Sequence, residues 1–251
     1  MFDATKEKVE WAERQISDLE AGFGAFLNAG HCTWDSTPDP ADGNLAIEAS
    51  CLVPIPLELT LMLGEVINNL RAALDHAAGE LIGIDARTQD VKIIFPVTTK
   101  QADFVTRIRE IKTRRDDTRA FLMSLEAYQD GTGKLLYALE QLDITSKHAV
   151  LTPIIGVAKI GPVKLLNTNG TPASTPASLE CSMGTDGRAR LRNVSSGTTV
   201  EIDENATPAF DVFFGDIEQF RFQRIIPTLR ILAGAVKETV RRFDRFVTTR
   251  I

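Results

Sequence analysis

Apolar residues first recur at helical spacing near the N-terminus. Val9, Ala12, Ile16, Leu19, Phe23 and Phe26 fall on one face of a helix predicted over 4–29, which Gly30 ends. The pattern then shortens. "HCTWDST" and "NLAIEASCLV" flank the turn cluster "PDPADG" and predict a β-hairpin over 31–55, closed by Pro54 and Pro56. A long helix follows at 57–83, with Leu63, Val66, Leu70, Leu74, Ala77 and Leu81 along one face. Segment 84–99 reads as a loop holding one short extended piece at "IIFPV". Residues 100–126 are helical and basic, with a break expected near Asp116. "DGTG" at 130–133 is a turn leading into a helix over 134–151, which Pro153 stops.

From 153 to 214 the chain is rich in Gly, Pro, Thr, Ser and β-branched residues. Strands are predicted at "PIIGVAKI", "VKLLNT", "SLECSM", "ARLRNV", "TVEID" and "FDVFF", with a tight hairpin turn at "TDGR" and a polar, mobile loop at "NTNGTPASTPAS". "GDIEQ" places Asp216 as an N-cap with Gln219 three residues on, a capping box. A helix kinked near Pro227 is predicted from there to the C-terminus, on the stripe from Phe220 and Ile226 to Val240, Phe243 and Val247. The fold class is α+β: a bundle of four or five helices drawn from 1–29, 57–152 and 216–251. It carries the β-hairpin at 31–55 and an antiparallel sheet inserted at 153–214, all within a single domain over 1–251.

Composition changes this picture little: 43% apolar and 25% charged is ordinary for a globular protein. The net charge of −6 argues against gripping nucleic acid by bulk charge. Arginine is unevenly placed, however. Arg107, Arg109, Lys112, Arg114, Arg115 and Arg119 crowd one helical stretch, and Arg241, Arg242, Arg245 and Arg250 crowd the last. These read as solvated faces paired with acids, or as backbone contacts if RNA is a substrate. Cys32, Cys51 and Cys181 show no CxxC spacing and are expected as reduced thiols of a cytoplasmic protein; a Cys32–Cys51 bridge is the alternative if both lie on paired strands. The charged amphipathic N-terminus lacks a signal-peptide core. The longest apolar run, "LTLMLGEVI", is interrupted by Glu65, so no membrane association is expected.

Candidate chemistry concentrates in "NNLRAALDH", residues 68–76, an unusually polar stretch for an oily helix. Arg71 and Asp75 stand one turn apart and can pair. Glu65, Asn69 and His76 form a separate stripe. Arg71 and His76 diverge by roughly 140° around an ideal helix, so a shared ligand needs a long reach or a second subunit. Downstream, "LEQLDITSKHAVL" sets Asp143 one turn before Lys147 and puts His148 on the side of Tyr137, Ile144 and Leu151. Two readings stay open. Asn68, Asn69, Asp75, Asp143 and Lys147 could form a structural polar network at a helix–helix seam, or support a catalytic site built on Arg71, His76 and His148. No HxxxH or ExxH spacing occurs, and no metal or cofactor is expected. There is no GxSxG, and "GTGK" lacks the Ser or Thr of a phosphate loop, since Leu135 follows. His31, beside Cys32, reads as an ordinary strand residue.

At these two segments the chain resembles a widespread family of bacterial proteins of unassigned activity. Their helical motif is close to N-L-R-[SA]-A-L-D-H, and "NLRAALDH" follows it throughout. Their second motif is close to L-D-x-I-D-K-H-R. Asp143, Lys147 and His148 agree with it, while Ser146 and Ala149 stand where the family has Asp and Arg. The resemblance implies a similar order of hairpin, motif helix, "FP" segment, second helix, sheet and terminal helix. "RAALDH" is also similar to the R-x4–6-H motif of HEPN-type ribonucleases, which are helical, often dimeric and metal-independent. That likeness implies that Arg71 holds the scissile phosphate, that His76 acts as general acid or base, and that RNA and a homodimer partner are to be looked for.

Overall fold

The computed structural model describes residues 1–38, 45–86, 93–113, 115–149, 151–166, 170–174, 178–183, 188–191, 199–215 and 217–250. Among them lie six helices: α1 (Asp3–Asn28), α2 (Leu57–Ala86), α3 (Gln101–Glu110), α4 (Asp116–Met123), α5 (Lys134–His148) and α6 (Ile225–Thr248). The seven strands are β1 (Cys32–Pro38), β2 (Leu45–Cys51), β3 (Pro153–Leu166), β4 (Pro172–Ser174), β5 (Leu179–Met183), β6 (Ala189–Leu191) and β7 (Thr199–Phe214). The α+β class is as read, but six helices replace the expected four or five, because 100–126 divides at 111–115 into α3 and α4. The chain falls into two compact units: Met1–Leu19, Thr60–Leu151 and Ile226–Ile251 form one, and Glu20–Leu59 with Thr152–Ile225 the other.

The first unit is helical. All six apolar stripe positions of α1 are buried, and so are the six named on α2. α1 runs antiparallel to α6, with Lys6 Nζ 2.9 Å from Asp244 and Lys237 Nζ 2.7 Å from Glu13. It also runs antiparallel to α2, with Thr5 donating to Glu80 at 2.6 Å and Asn69 to Gln15 at 2.9 Å. α6 starts at Ile225, not at residue 216 as the capping box predicts. Pro227 supplies the reason: it sits in the first turn, where a missing N–H costs nothing, so the proline opens the helix rather than kinking it. Asp216 itself lies outside the described residues. The "GTGK" glycines make a turn, as read. A Cβ on Gly131 would come within 2.1 Å of the Glu126 carbonyl oxygen, and one on Gly133 within 2.3 Å of that of Leu125.

At the start of α4, Arg115 donates to Asp117 through Nε (3.1 Å) and Nη2 (2.8 Å), and Arg250 Nε lies 3.1 Å from the same carboxylate. The Arg115 hydrogen bonds above all hold Asp117 well below the usual carboxylate range, at about 2. Nearby, the buried Asp85 side chain accepts from Thr113, Thr118 and Arg250, joining the ends of α2 and α6 to the approach and start of α4.

The second unit holds one sheet, ordered β1-β2-β6-β5-β3-β4, with β7 on the other side of β3. The early hairpin and the later insertion are therefore continuous: Ala46 pairs with Arg190 and Ile47 with Ala189. Ile47, Val157, Ile160, Val163, Cys181, Ala189 and Ala206 form its buried core. Two predicted strand pairs are each one long strand. Gly161-Pro162 marks a register shift between β3 and β7 instead of a break, so the proline's missing N–H falls where the ladder is already interrupted. The Asp-Gly turn at 185–187 lies outside the described residues, although β5 and β6, which it would join, pair antiparallel. The polar loop at 167–178 is described only in part, and its described portion contains β4.

The expectation of three reduced thiols is corrected. Cys32 and Cys51 are directly opposite in the β1–β2 register and form a disulfide, while Cys181 is free and buried. Both bridged residues are half-buried. Removing the bridge by Cys32→Ser with Cys51→Ser should cost about 2–4 kcal/mol, seen as a lower urea midpoint in a probe of the sheet; an unmoved midpoint would show that the bridge contributes nothing. Asp117 should titrate near pH 2 by NMR. Its contribution to stability is complete above the unfolded value of 3.8 and is lost as pH falls through about 2. Arg115→Ala should move that midpoint upward toward 3.8.

Candidate functional site

The polar residues of α2 divide between two destinations. Arg71 turns inward and is 3% exposed. Its Nη1 donates to Asp75 at 2.5 Å, its Nη2 to the Phe95 carbonyl at 3.1 Å, and its Nε to Glu140 on α5. Asp75 also accepts from the Phe95 N–H at 2.7 Å. Burial alone would lower the pKa of this guanidinium, but the charges and hydrogen bonds of Asp75 and Glu140 outweigh it and raise the pKa further. One cation thus joins α2, α5 and the segment at 93–97. Phe95 and Val97 of that segment are buried.

A second link lies one turn away on each helix. Asn68 Nδ2 donates to Asp143 at 3.3 Å, and Lys147 Nζ donates to the other Asp143 oxygen at 2.5 Å. Asp143 is 2% exposed. Asn69 instead serves α1, through its hydrogen bond to Gln15. Asn68, Asn69, Asp75, Asp143 and Lys147 each bond through their side chains, in three separate groups: Asp75 with Arg71, Asn68 and Lys147 with Asp143, and Asn69 with Gln15. Glu140 was missed, although its place one turn before Asp143 puts it on the same side of α5 and was visible in "LEQLDITSK".

The histidines do not join them. His76 and His148 are both exposed, and among the described residues neither makes a hydrogen bond or ion pair. His148 ends α5 in its last turn, and the side it shares with Ile144 faces solvent more than the apolar pattern predicts; Ile144 is itself exposed. Arg71 is buried and its helix-mate His76 is not, in keeping with the 140° separation.

Two open clefts flank α5. One, of about 520 Å³, is lined by Leu61, Gly64, Glu65, Asn68 and Asn69 from α2 and by Ser146, Lys147 and Leu151. The other, of about 480 Å³, lies between α5 and 97–107, with Asp103, Arg107, Tyr137, Glu140 and Gln141 on its walls. Both have the size of small-molecule sites. Among the described residues, no three His, Cys, Asp or Glu side chains gather as a metal site would require, and no helix is long and apolar enough to cross a membrane.

The basic helices also spend much of their charge internally. Arg107 donates to the Val97 carbonyl, Arg119 pairs with Asp116, and Arg241 and Arg245 pair with Glu238. Arg242 donates to Ser124, and Arg115 and Arg250 share Asp85 and Asp117. Arg114 lies outside the described residues.

No protein-family model matches this sequence, and no curated protein or solved structure matches it either.

Removing Arg71 leaves Asp75 and Glu140 facing each other without their cation. Arg71→Met should destabilise the helical unit by about 3 kcal/mol, whereas His76→Ala should stay within about 0.5 kcal/mol of the parent, as exposed substitutions do. Urea denaturation followed by helical circular dichroism compares the two; equal losses would contradict a structural role for Arg71.

Proposed function

We propose that this protein is a non-catalytic binding protein whose Asn/Arg/Asp/Glu/Lys seam is a structural network. The burial of Arg71, with all three guanidinium nitrogens donating within the chain, carries this reading. A phosphate-holding arginine must present donors to a ligand, and this one is committed to two carboxylates and a carbonyl. The two clefts beside the seam are where ligands would be taken. They share α5, whose setting against α2 the seam determines.

The competing reading, a HEPN-like metal-independent ribonuclease acting through Arg71 and His76, needs that arginine released and brought to the same substrate as an exposed histidine on another side of the helix. It also needs free basic surface for the RNA backbone, and many of the named arginines are paired with acids. A homodimer would supply the second Arg–His pair, but would leave each arginine buried in its own subunit.

RNA cleavage by the purified protein in EDTA separates the two. The binding-protein reading expects no cleavage above that of the His76→Ala and His148→Ala variants. Robust cleavage by the parent that His76→Ala removes would overturn it and restore the ribonuclease.

A further inference from the structure

The cleft between α2 and the end of α5 has an unusual balance of hydrogen-bonding groups. Several of its donors are engaged by neighbours. Asn68 and Asn69 each give one Nδ2 hydrogen, to Asp143 and to Gln15, and the Ser146 hydroxyl donates to the Asp143 carbonyl at 2.9 Å. Lys147 is neutralised by Asp143. The acceptors that remain toward a ligand are the carboxamide oxygens of Asn68 and Asn69, the lone pairs of Ser146 and Thr60, and the carboxylate of Glu65. Glu65 is exposed, and among the described residues it accepts only a long contact at 3.5 Å from the neutral Gln15 amide. Among the described residues it has no cationic partner. With the Asp143–Lys147 pair cancelling, the cleft carries one uncompensated negative charge.

Besides the Thr60 hydroxyl, the remaining lining is apolar: Leu61, which is 54% exposed, and Leu151 provide hydrocarbon, and Gly64 lies on the same wall as Glu65. A glycine inside a helix costs roughly 1 kcal/mol relative to alanine. A Cβ at Gly64 would meet nothing within 4 Å, so packing within the chain does not demand it. Gly24 on α1 and Gly234 on α6 are equally unobstructed, so the glycine counts only through its position. There it bares the helix backbone beside the free carboxylate and lets a ligand lie close against α2.

We infer that this cleft binds a small organic cation, a primary alkylammonium compound of the diamine or polyamine class. Its ammonium group donates to Glu65 and to the carboxamide oxygens of Asn68 and Asn69, and its methylene chain lies along Gly64, Leu61 and Leu151. An ammonium brings three donors and a positive charge, which complement the Glu65 carboxylate and the carboxamide oxygens beside it. An inorganic anion would meet the uncompensated carboxylate instead. The inference rests on the binding-protein reading and names the ligand class of one of its clefts.

Isothermal titration of the full chain with 1,5-diaminopentane and with spermidine tests it, with 1,5-pentanediol and inorganic phosphate as neutral and anionic probes. Both amines should bind with one-to-one stoichiometry, while the diol and phosphate give no saturable heat. Glu65→Gln should weaken amine binding about tenfold or more, the loss of one charge-assisted contact. Gly64→Leu should block it, and Glu10→Gln, an exposed carboxylate of α1 that lines neither cleft, should leave it unchanged. Circular dichroism confirms that each variant is folded. Absence of amine binding, or equal binding by folded Glu65→Gln, sinks the inference. Neither result touches the binding-protein reading, which stands or falls on RNA cleavage.

Discussion

A guanidinium taken out of water must be matched by partners that cost less than its hydration, and the helical unit is arranged around that requirement at Arg71. Two carboxylates from different helices and one backbone carbonyl meet it. The match has a geometric corollary. Arg71–Glu140 and Asn68–Asp143 connect α2 and α5 at two points about one turn apart on each helix. Sliding α5 by a turn would break both links and leave Asp143 buried without its amide donor. Apolar packing alone tolerates such shifts far better, so the polar pairs set the register of these two helices.

The same commitment explains why so many charges do so little outward work. Glu238 takes two arginines, Asp85 and Asp117 share Arg115 and Arg250, and Asp244 takes Lys6 together with the N-terminal ammonium. Many of these pairs are exposed, and each contributes modestly. Together with Arg119–Asp116, they occupy five of the arginines that crowd these stretches: Arg115, Arg119, Arg241, Arg245 and Arg250. Exposed acids such as Glu7, Glu10, Asp18 and Glu65 have no cationic partner among the described residues, and Glu65 differs from the other three in lining a cleft.

Helical periodicity made much of the helical unit legible. The α1 stripe and the α2 face are buried where the spacing places them, because one 3.6-residue period admits one inward face. The divergence of Arg71 and His76 could also be read from residue count alone. Other features escaped for identifiable reasons. Pro227 looks the same in sequence whether it kinks a helix or opens one, and the first-turn position decides. Gly161-Pro162 reads as a strand end but is absorbed at a register shift. Glu140 carries no motif signal of its own, since a lone acid on a helix reads as a solvated surface residue until its partner Arg71 is placed. The Phe95 carbonyl was invisible in principle, since a backbone acceptor leaves no residue-type signal. The pairing of β2 with β6 was equally hidden. Alternation shows which face of a strand is buried, not which strand lies beside it.

That pairing joins residues made far apart in time. Glu48 on β2 meets Arg188, beside β6, across 140 positions. At ribosomal rates the wait between them is on the order of ten seconds. Throughout it, the outer edge of β2 is an unsatisfied row of amides and carbonyls, open to any other strand that passes. The first hairpin must therefore survive as a two-stranded ribbon, a form that is marginal in water. A covalent staple between Cys32 and Cys51, at the end of the hairpin farthest from its turn, would keep the ribbon zipped until the rest of its sheet is translated.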